Sequence, residues 1–213
     1  MRRLSGMLKL GGLVSLSLAF VACLQLNKGY PEKRTFVLDV PSGAQAQTPD
    51  SSLVLKMHKF RISPMFAGRP MVYRIGELQY ESDFYDEWFV PPGTLVTEQV
   101  HGWMARTGRY RIVLAGSNHV EPTHLLEGSV TEFYGDYRSA QSFKAVLGME
   151  LYMLHADTGQ VMLRRTYHEE VPLTDRSSDA LAAGLTQALR LVLVDFERAL
   201  AGVVAQQPRP SPR

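Results

Sequence analysis

The stretch "SFKAVLGMELYML", residues 142–154, decides the fold because it reads as one long strand with two unlike faces. Lys144, Glu150 and Tyr152 share one face. The other face is apolar and carries Phe143, Ala145, Leu147, Met149, Leu151 and Met153. Such alternation is typical of a half-buried strand in an antiparallel sheet. The sequence therefore predicts a sheet that buries one side against other elements.

Turn signals and further alternating segments predict the neighbours of this strand. Asp157-Thr158-Gly159 predicts a hairpin turn into a strand over residues 160–173. A second hairpin is expected within residues 71–82, turning near Gly76-Glu77. The remaining predicted strands cover residues 35–40, 53–60, 110–115 and 125–137.

Two helices complete the predicted domain. The first follows "VPPG", residues 90–93, because proline is favoured in a first helical turn, and Gly108 is expected to end it. The second runs from Ser178 to Ala205, with Ser177 or Ser178 as its N-cap. Its apolar stripe consists of Leu181, Leu185, Leu189, Val192, Phe196, Leu200 and Val203. We therefore expect an α+β fold, with a mostly antiparallel sheet packed against two helices.

The N-terminus has the layout of a bacterial export signal. Arg2, Arg3 and Lys9 precede an uncharged run over residues 10–22, which is shorter than the roughly 20 residues of a membrane-spanning helix. The sequence Phe20-Val21-Ala22-Cys23 resembles a lipobox, in which the cysteine receives diacylglycerol and becomes the new N-terminus. Ordinary cleavage after Ser17-Leu18-Ala19 or at the distant Ala44-Gln45-Ala46, and a retained anchor, are the alternatives.

These features divide the chain into four parts. We expect a lipoprotein signal peptide over residues 1–22, a lipidated flexible tether over 23–34, one α+β domain over 35–205 and a disordered, proline-rich tail over 206–213. The chain has 23 basic and 21 acidic residues. Loss of the three basic residues of the signal leaves 20 against 21, a net charge of about −1, and this balance argues against a nucleic-acid partner.

No catalytic or nucleotide-binding motif was found in the sequence, so we expect an enzymatic role, a metal and a cofactor all to be absent. His119 and His124 flank Glu121 and could bind a metal, but the intervening Pro122 favours a surface loop. Glu169-Glu170 follows His168, but adjacent strand residues point to opposite faces, so the two carboxylates would not converge.

One segment, residues 69–92, is unusually rich in aromatic side chains. It carries Tyr73, Tyr80, Phe84, Tyr85, Trp88 and Phe89. These rings could pack the hairpin against the following helix, or some could face outward as an interface, where Tyr, Trp and Arg are enriched. We expect Tyr73 and Trp88 to be mainly structural, and Arg74, Phe84 and Tyr85 to be candidates for binding a partner.

The order of these elements resembles that of the ABC-type transport auxiliary lipoproteins, the group that includes paraquat-inducible protein C-like proteins. The resemblance rests on the lipobox, the early strands and the aromatic segment that leads into a helix. Its most specific residues are Val72-Tyr73-Arg74, Tyr80 and Trp88 to Pro92, with Pro91 among them. The acidic and aromatic piece "ESDFYDE", residues 81–87, departs from the pattern.

The resemblance implies a non-enzymatic envelope lipoprotein. Such a protein would work with an MCE-domain protein and an ABC permease and ATPase, moving lipids or other hydrophobic molecules between membranes, and it could form a homo-oligomer. Leu24 follows the cysteine where Asp would favour inner-membrane retention, so the outer membrane is expected. The alternatives are a lipoprotein that itself binds lipid in the periplasm, and an envelope enzyme.

We predict that the mature protein begins at a lipidated Cys23. Two or three acyl chains hold a protein on a membrane far more firmly than one, at about 0.8 kcal/mol per buried CH₂. Cys23→Ser should therefore give an unlipidated product. Intact-mass analysis checks this, and an unmodified Cys23 or cleavage after Ala19 would contradict it.

Overall fold

The strands and helices follow one another along most of the described chain. The computed structural model describes residues 32–41, 50–116 and 119–204. The strands are β1 (Arg34–Phe36), β2 (Asp50–Met57), β3 (Arg61–Ile62), β4 (Pro70–Arg74), β5 (Tyr80–Trp88), β6 (Tyr110–Ala115), β7 (His124–Ser139), β8 (Ser142–His155) and β9 (Val161–Pro172). The helices are α1 (Pro92–Arg106) and α2 (Ser178–Val204), and a 3-10 turn covers Pro64–Phe66. The predicted signal peptide, Cys23, most of the tether and the tail over 206–213 lie outside the described residues.

The central strand of the sheet is β7. One edge of β7 pairs with β8 in antiparallel fashion from His124 to Ser139, and β8 pairs in turn with β9. The other edge receives β2, β3 and β4 one after another, each parallel to β7. Two further strands extend the sheet, with β6 parallel to β2 and β5 antiparallel to β4, and β1 then pairs with β5.

The sheet is therefore mixed, and the prediction of a mostly antiparallel sheet was wrong. Five of the eight strand pairings among the described residues are parallel. Alternation in sequence indicates which face of a strand is buried, but it does not indicate the direction of the neighbouring strand. The predicted α+β class with two helices is confirmed.

One face of the sheet, called here the inner face, packs against the helices. Its largest fully buried side chains in β8 are Leu147, Met149, Leu151 and Met153, the face predicted from the sequence. On α2, the buried stripe runs from Leu181 through Leu189 to Leu200. A bulge in β7 between Val130 and Glu132 keeps Val130 and Phe133 on the same inner face, opposite Met149 and Leu147.

The first strand is shorter than predicted. It ends at Phe36, although Leu38 and Val40 are buried as the alternation indicates. Beyond Phe36 the chain runs beside α1, where Gln99 Oε1 accepts the Val40 N–H at 2.9 Å. The alternation thus reports burial, but the partner is a helix and not another strand.

Helix α2 lies so close to β8 that Gly184 leaves no room for a side chain. A Cβ atom built at Gly184 would overlap Leu173 Cδ2 and would lie 2.8 Å from Ala145 Cβ. The close packing of the helix on the sheet therefore depends on this glycine.

We predict that Gly184→Val lowers the free energy of unfolding by about 1–3 kcal/mol through overpacking. The matched control is Gly202→Ala on the same helix, where nothing lies within 4 Å of the added Cβ. Its higher helix propensity should leave stability unchanged or raise it by up to about 1 kcal/mol. Urea unfolding measures both, and equal effects would contradict the prediction.

Candidate docking site

The aromatic segment contains a wide bulge in β5. In the β4–β5 pairing, Pro70 lies opposite Glu87 and Val72 lies opposite Ser82. A step of two residues on β4 therefore matches a step of five on β5, and residues 83–86 form an excursion from the ladder. These four residues, called here the aromatic bulge, belong to the acidic and aromatic piece "ESDFYDE", residues 81–87.

The Asp83 side chain folds the bulge. Asp83 Oδ1 accepts the backbone N–H groups of Tyr85 at 2.8 Å and Asp86 at 2.9 Å. This arrangement replaces ladder hydrogen bonds that the bulge cannot make, which is a common use of aspartate in turns. Asp83 Oδ2 accepts a hydrogen bond from the Tyr73 hydroxyl at 2.9 Å, so the bulge is also fixed to β4.

The bulge presents two neighbouring aromatic rings to solvent. Phe84 is 74% exposed and Tyr85 is 38% exposed. Their rings contact edge to face, with centroids 5.0 Å apart. Lys33 Nζ lies 5.4 Å from the Phe84 centroid, within the range of a cation–π contact. A large exposed aromatic on a fixed turn is a suitable anchor for a partner surface.

A buried charge lies beneath the rings. Asp86, 7% exposed, accepts hydrogen bonds from Arg34 Nε at 2.9 Å and Arg34 Nη2 at 2.6 Å, and a third from the Ser178 hydroxyl. Arg34 Nη1 also donates to Asp179 at 3.1 Å. The Arg34 guanidinium holds the pKa of Asp86 below its ordinary value, and the Asp86 carboxylate raises the pKa of Arg34. This cluster joins β1, the bulge and the start of α2.

Tyr73 connects the bulge to the core. Its ring stacks on Tyr137 with centroids 4.9 Å apart, and its hydroxyl lies 3.0 Å from Ser178 Oγ. Burial raises the pKa of Tyr73, so this hydroxyl stays protonated as a hydrogen-bond donor. Trp88, at the other end of the bulge, is buried against Phe133.

Arg74 contacts the turn between β4 and β5 and does not contact the two exposed rings. Its guanidinium donates to the carbonyl oxygens of Gly76 at 3.3 Å and Glu77 at 2.8 Å, and it lies 5.7 Å from the Tyr80 centroid. Arg74 thus stabilises the turn between β4 and β5. It forms neither a hydrogen bond nor a cation–π contact with Phe84 or Tyr85.

Tyr80 and Pro91 also lie at structural positions. Tyr80 packs edge to face against Tyr134, with centroids 5.5 Å apart. The Pro91 carbonyl accepts the N–H groups of Thr94 at 2.9 Å and Leu95 at 3.2 Å, and so begins α1. Both residues therefore fix the ends of the segment that contains the bulge.

The histidines named from the sequence do not come together. His119 is exposed, whereas His124 is buried in β7 with its ring 5.4 Å from that of His155, and burial lowers the pKa of His124. Across the described ranges, no group of three potential metal-ligating side chains was found.

His168 and Glu170 belong to the charged outer face of the sheet. His168 Nδ1 lies 2.6 Å from Glu132 Oε2, which raises the pKa of His168, and Glu170 pairs with Lys144 at 2.7 Å. These are solvated ion pairs on neighbouring strands, as expected for charges on the exposed side of a sheet.

Sequence reasoning missed Arg34, Asp83, Asp86 and Ser178 as parts of this site. Arg34 and Asp86 are 52 residues apart, and Asp86 and Ser178 are 92 apart, so no local pattern connects them. Only Asp83 had a signal, because aspartate is favoured in turns where its side chain accepts nearby N–H groups.

We predict that Asp86→Asn lowers the free energy of unfolding by about 1–2 kcal/mol at pH 5–7, because it removes a charge-assisted hydrogen bond to a half-exposed arginine. The pKa of Asp86 is lowered in the folded protein, so its stabilisation is complete above the unfolded pKa of about 4 and is lost as pH falls further. Urea unfolding of both proteins between pH 3 and 7 checks this. A difference that persists undiminished at pH 3 would contradict it.

Within the described residues, no helix is long and apolar enough to cross a membrane. Two solved structures resemble the fold closely. A Xanthomonas campestris protein of family DUF330 is 18% identical, with a TM-score of 0.72 over 81% of this chain and 97% of that chain. An uncharacterised protein is also 18% identical, with a TM-score of 0.64 over 79% of this chain and 99% of that chain. At these identities the likeness shows the fold alone.

Among curated protein sequences, none matches this chain. The family model of the ABC-type transport auxiliary lipoprotein component matches residues 36–196, which include β5, the aromatic bulge and both helices up to Phe196. The chain therefore belongs to the family of ABC-type transport auxiliary lipoprotein components.

Proposed function

We propose that this protein is a non-enzymatic lipoprotein that docks on an MCE-domain protein, and through it serves an ABC permease and ATPase. The cargo would be lipids or other hydrophobic molecules moving between membranes. Cys23 would carry the acyl chains, with the domain facing the periplasm and the outer membrane as the anchoring membrane. Family membership supports a role in ABC-type transport.

The aromatic bulge is the observation that carries the docking proposal. Phe84 and Tyr85 are exposed on a turn whose backbone is fixed by Asp83 and whose base is fixed by Asp86. A pre-organised surface loses little conformational entropy when a partner binds. The bulge therefore offers two large apolar anchors at low entropic cost, which suits binding to another protein.

The packed interior supports docking over storage of a lipid inside the domain. Leu147, Met149, Leu151 and Met153 are fully buried against the helices. A lipid held between the sheet and α2 would have to displace these side chains, and each displacement would cost packing free energy.

A second candidate function, binding of lipid without a partner, is favoured by one surface feature. A groove of about 390 Å³ lies between α1 and the ends of β2 and β6. Met57, Thr94, Gly102 and Ala115 line it. Its volume falls in the range of small-molecule sites, so this candidate predicts that labelled lipid binds to the purified protein alone.

The test of the main proposal is co-purification from detergent-solubilised envelopes. The protein should recover an MCE-domain protein together with a permease and an ATPase, identified by mass spectrometry. Recovery of none of these proteins, combined with saturable binding of labelled lipid by the isolated protein, would favour the second candidate instead.

We predict that Phe84→Ala and Tyr85→Ala each weaken partner binding by about 2 kcal/mol, roughly 30-fold, because a binding anchor is lost. Phe84 is exposed in the free protein, so its truncation should hardly change the melting temperature. The matched control is Phe89→Ala, which removes an equally large ring that is 62% exposed but lies outside the bulge. Quantitative pull-down and thermal unfolding are measured together for each variant.

Arg74→Ala requires the same pair of measurements, because Arg74 also holds the turn between β4 and β5. If Arg74 takes part in docking, Arg74→Ala should reduce partner recovery by more than its loss of thermal stability can explain. Unchanged recovery for all three variants, or equal losses for Phe89→Ala, would remove this segment from the docking surface.

A further inference from the structure

A second concave site lies on the outer face of the sheet, away from the aromatic bulge. This outer cleft has a volume of about 420 Å³. The residues that line it are His58, Lys59, Arg61, Glu127, Gly128, Ser129, Glu150, Tyr152 and Leu154. They come from the segment between β2 and β3, from the start of β3, from the first half of β7 and from β8. The aromatic bulge lies elsewhere, beyond the β4 edge of the sheet.

The cleft forms where β2 stops pairing with β7 and β3 begins to pair with it. Met57 lies opposite Leu126, and Arg61 lies opposite Ser129, so four steps along one chain match three along β7. The intervening residues loop out of the ladder, and Phe60 turns inward to become buried. A Cβ atom at Gly128 would lie 2.9 Å from the Phe60 ring and 3.0 Å from Leu151, so Phe60 packs on the inner face directly against the β7 backbone beneath the cleft.

The charges in the cleft leave two cations without acidic partners. Glu127 accepts a hydrogen bond from His58 at 3.1 Å, and Glu150 is paired with Arg164 at 3.2 Å. Lys59 and Arg61, by contrast, have no ion pair with any residue of the described part of the chain. Both are exposed at the mouth of the same cleft.

Donors of three kinds surround the space between these side chains. In parallel strands, paired residues point to the same face, so Arg61 and Ser129 lie side by side on the outer face. The Ser129 hydroxyl has no hydrogen bond to another described residue. A guanidinium fork, an ammonium group and a hydroxyl together suit a tetrahedral oxyanion, because it accepts hydrogen bonds from several directions.

The negative charge of Glu150 does not remove this preference for an oxyanion. Its carboxylate also accepts a hydrogen bond from the Tyr152 hydroxyl at 3.1 Å, and these donors lower its pKa. The Glu150 carboxylate is therefore already paired with Arg164 and Tyr152. Leu154 adds an apolar wall that can contact the carbon body of a ligand.

We propose that the outer cleft binds the phosphate group of a small phosphate ester, with Arg61 and Lys59 as the cationic ligands and Ser129 as a hydroxyl donor. The phosphate could belong to a soluble ester or to a phospholipid headgroup, since the chemistry is the same. The site is separate from the aromatic bulge, and its existence does not depend on the proposed transport role.

The test is isothermal titration calorimetry on the full chain, purified in a non-ionic detergent at low ionic strength. Inorganic phosphate and glycerol 3-phosphate are the soluble probes, and phosphatidylglycerol dispersed as mixed micelles in the same detergent is the lipid probe. Arg61→Ala and Lys59→Ala should each weaken binding at least about tenfold, because each removes a charge-assisted hydrogen bond. Arg61→Lys should fall between the wild type and Arg61→Ala, because it keeps the charge but loses the fork.

The matched control is Arg111→Ala on β6, which removes an exposed arginine that does not line the cleft. It should leave binding unchanged, and melting temperatures of all variants should match the wild type. Saturable binding of soluble phosphates that weakens in both cleft variants assigns the site to a free ester, and mixed-micelle binding that weakens in both assigns it to a headgroup. The proposal is overturned if no probe binds, or if Arg111→Ala weakens binding as much as the cleft variants do.

Discussion

The fold depends on the pairing of β7 along both of its edges. One edge is occupied by β8 along nearly its whole length, and the other is divided among β2, β3 and β4. A backbone N–H or C=O group that is buried without a hydrogen-bond partner costs free energy, so each segment of β7 needs a neighbouring strand. The short strands β3 and β4 therefore exist as partners for β7 more than as independent structural units.

The division of this edge also separates the two candidate sites. The outer cleft forms where β2 ends and β3 begins, at Gly128 and Ser129 of β7. The aromatic bulge lies one strand farther out at the other end, because β4 joins β7 at Gly135 and carries β5 on its free edge. Small irregularities in strand pairing thus produce local concavity in one place and a projecting turn in the other.

The bulge is held by charge and hydrogen bonding rather than by apolar packing. Asp86 is buried, and removal of its charge from water is compensated by the Arg34 fork and the Ser178 hydroxyl. Since Arg34 belongs to β1 and Ser178 begins α2, the first strand and the last helix meet at this carboxylate. The Phe84 ring takes no part in this junction and stays exposed, so it is available to bind a partner.

The sequence by itself determined the buried faces, the two helices and the aromatic concentration near β5. Alternation predicted the inner face of β8, and the helical stripe from Leu181 to Leu200 predicted the buried side of α2, because burial follows from side-chain chemistry at a fixed local period. Exposure of Phe84 and Tyr85 was one of two interpretations that the sequence left open. Tertiary structure alone decided the parallel direction of β2, β3 and β4 against β7, the bulge that turns Phe84 outward, and the joining of Arg34, Asp86 and Ser178. Those features arise from pairing and charge contacts between residues far apart in the chain, for which local sequence patterns contain no signal.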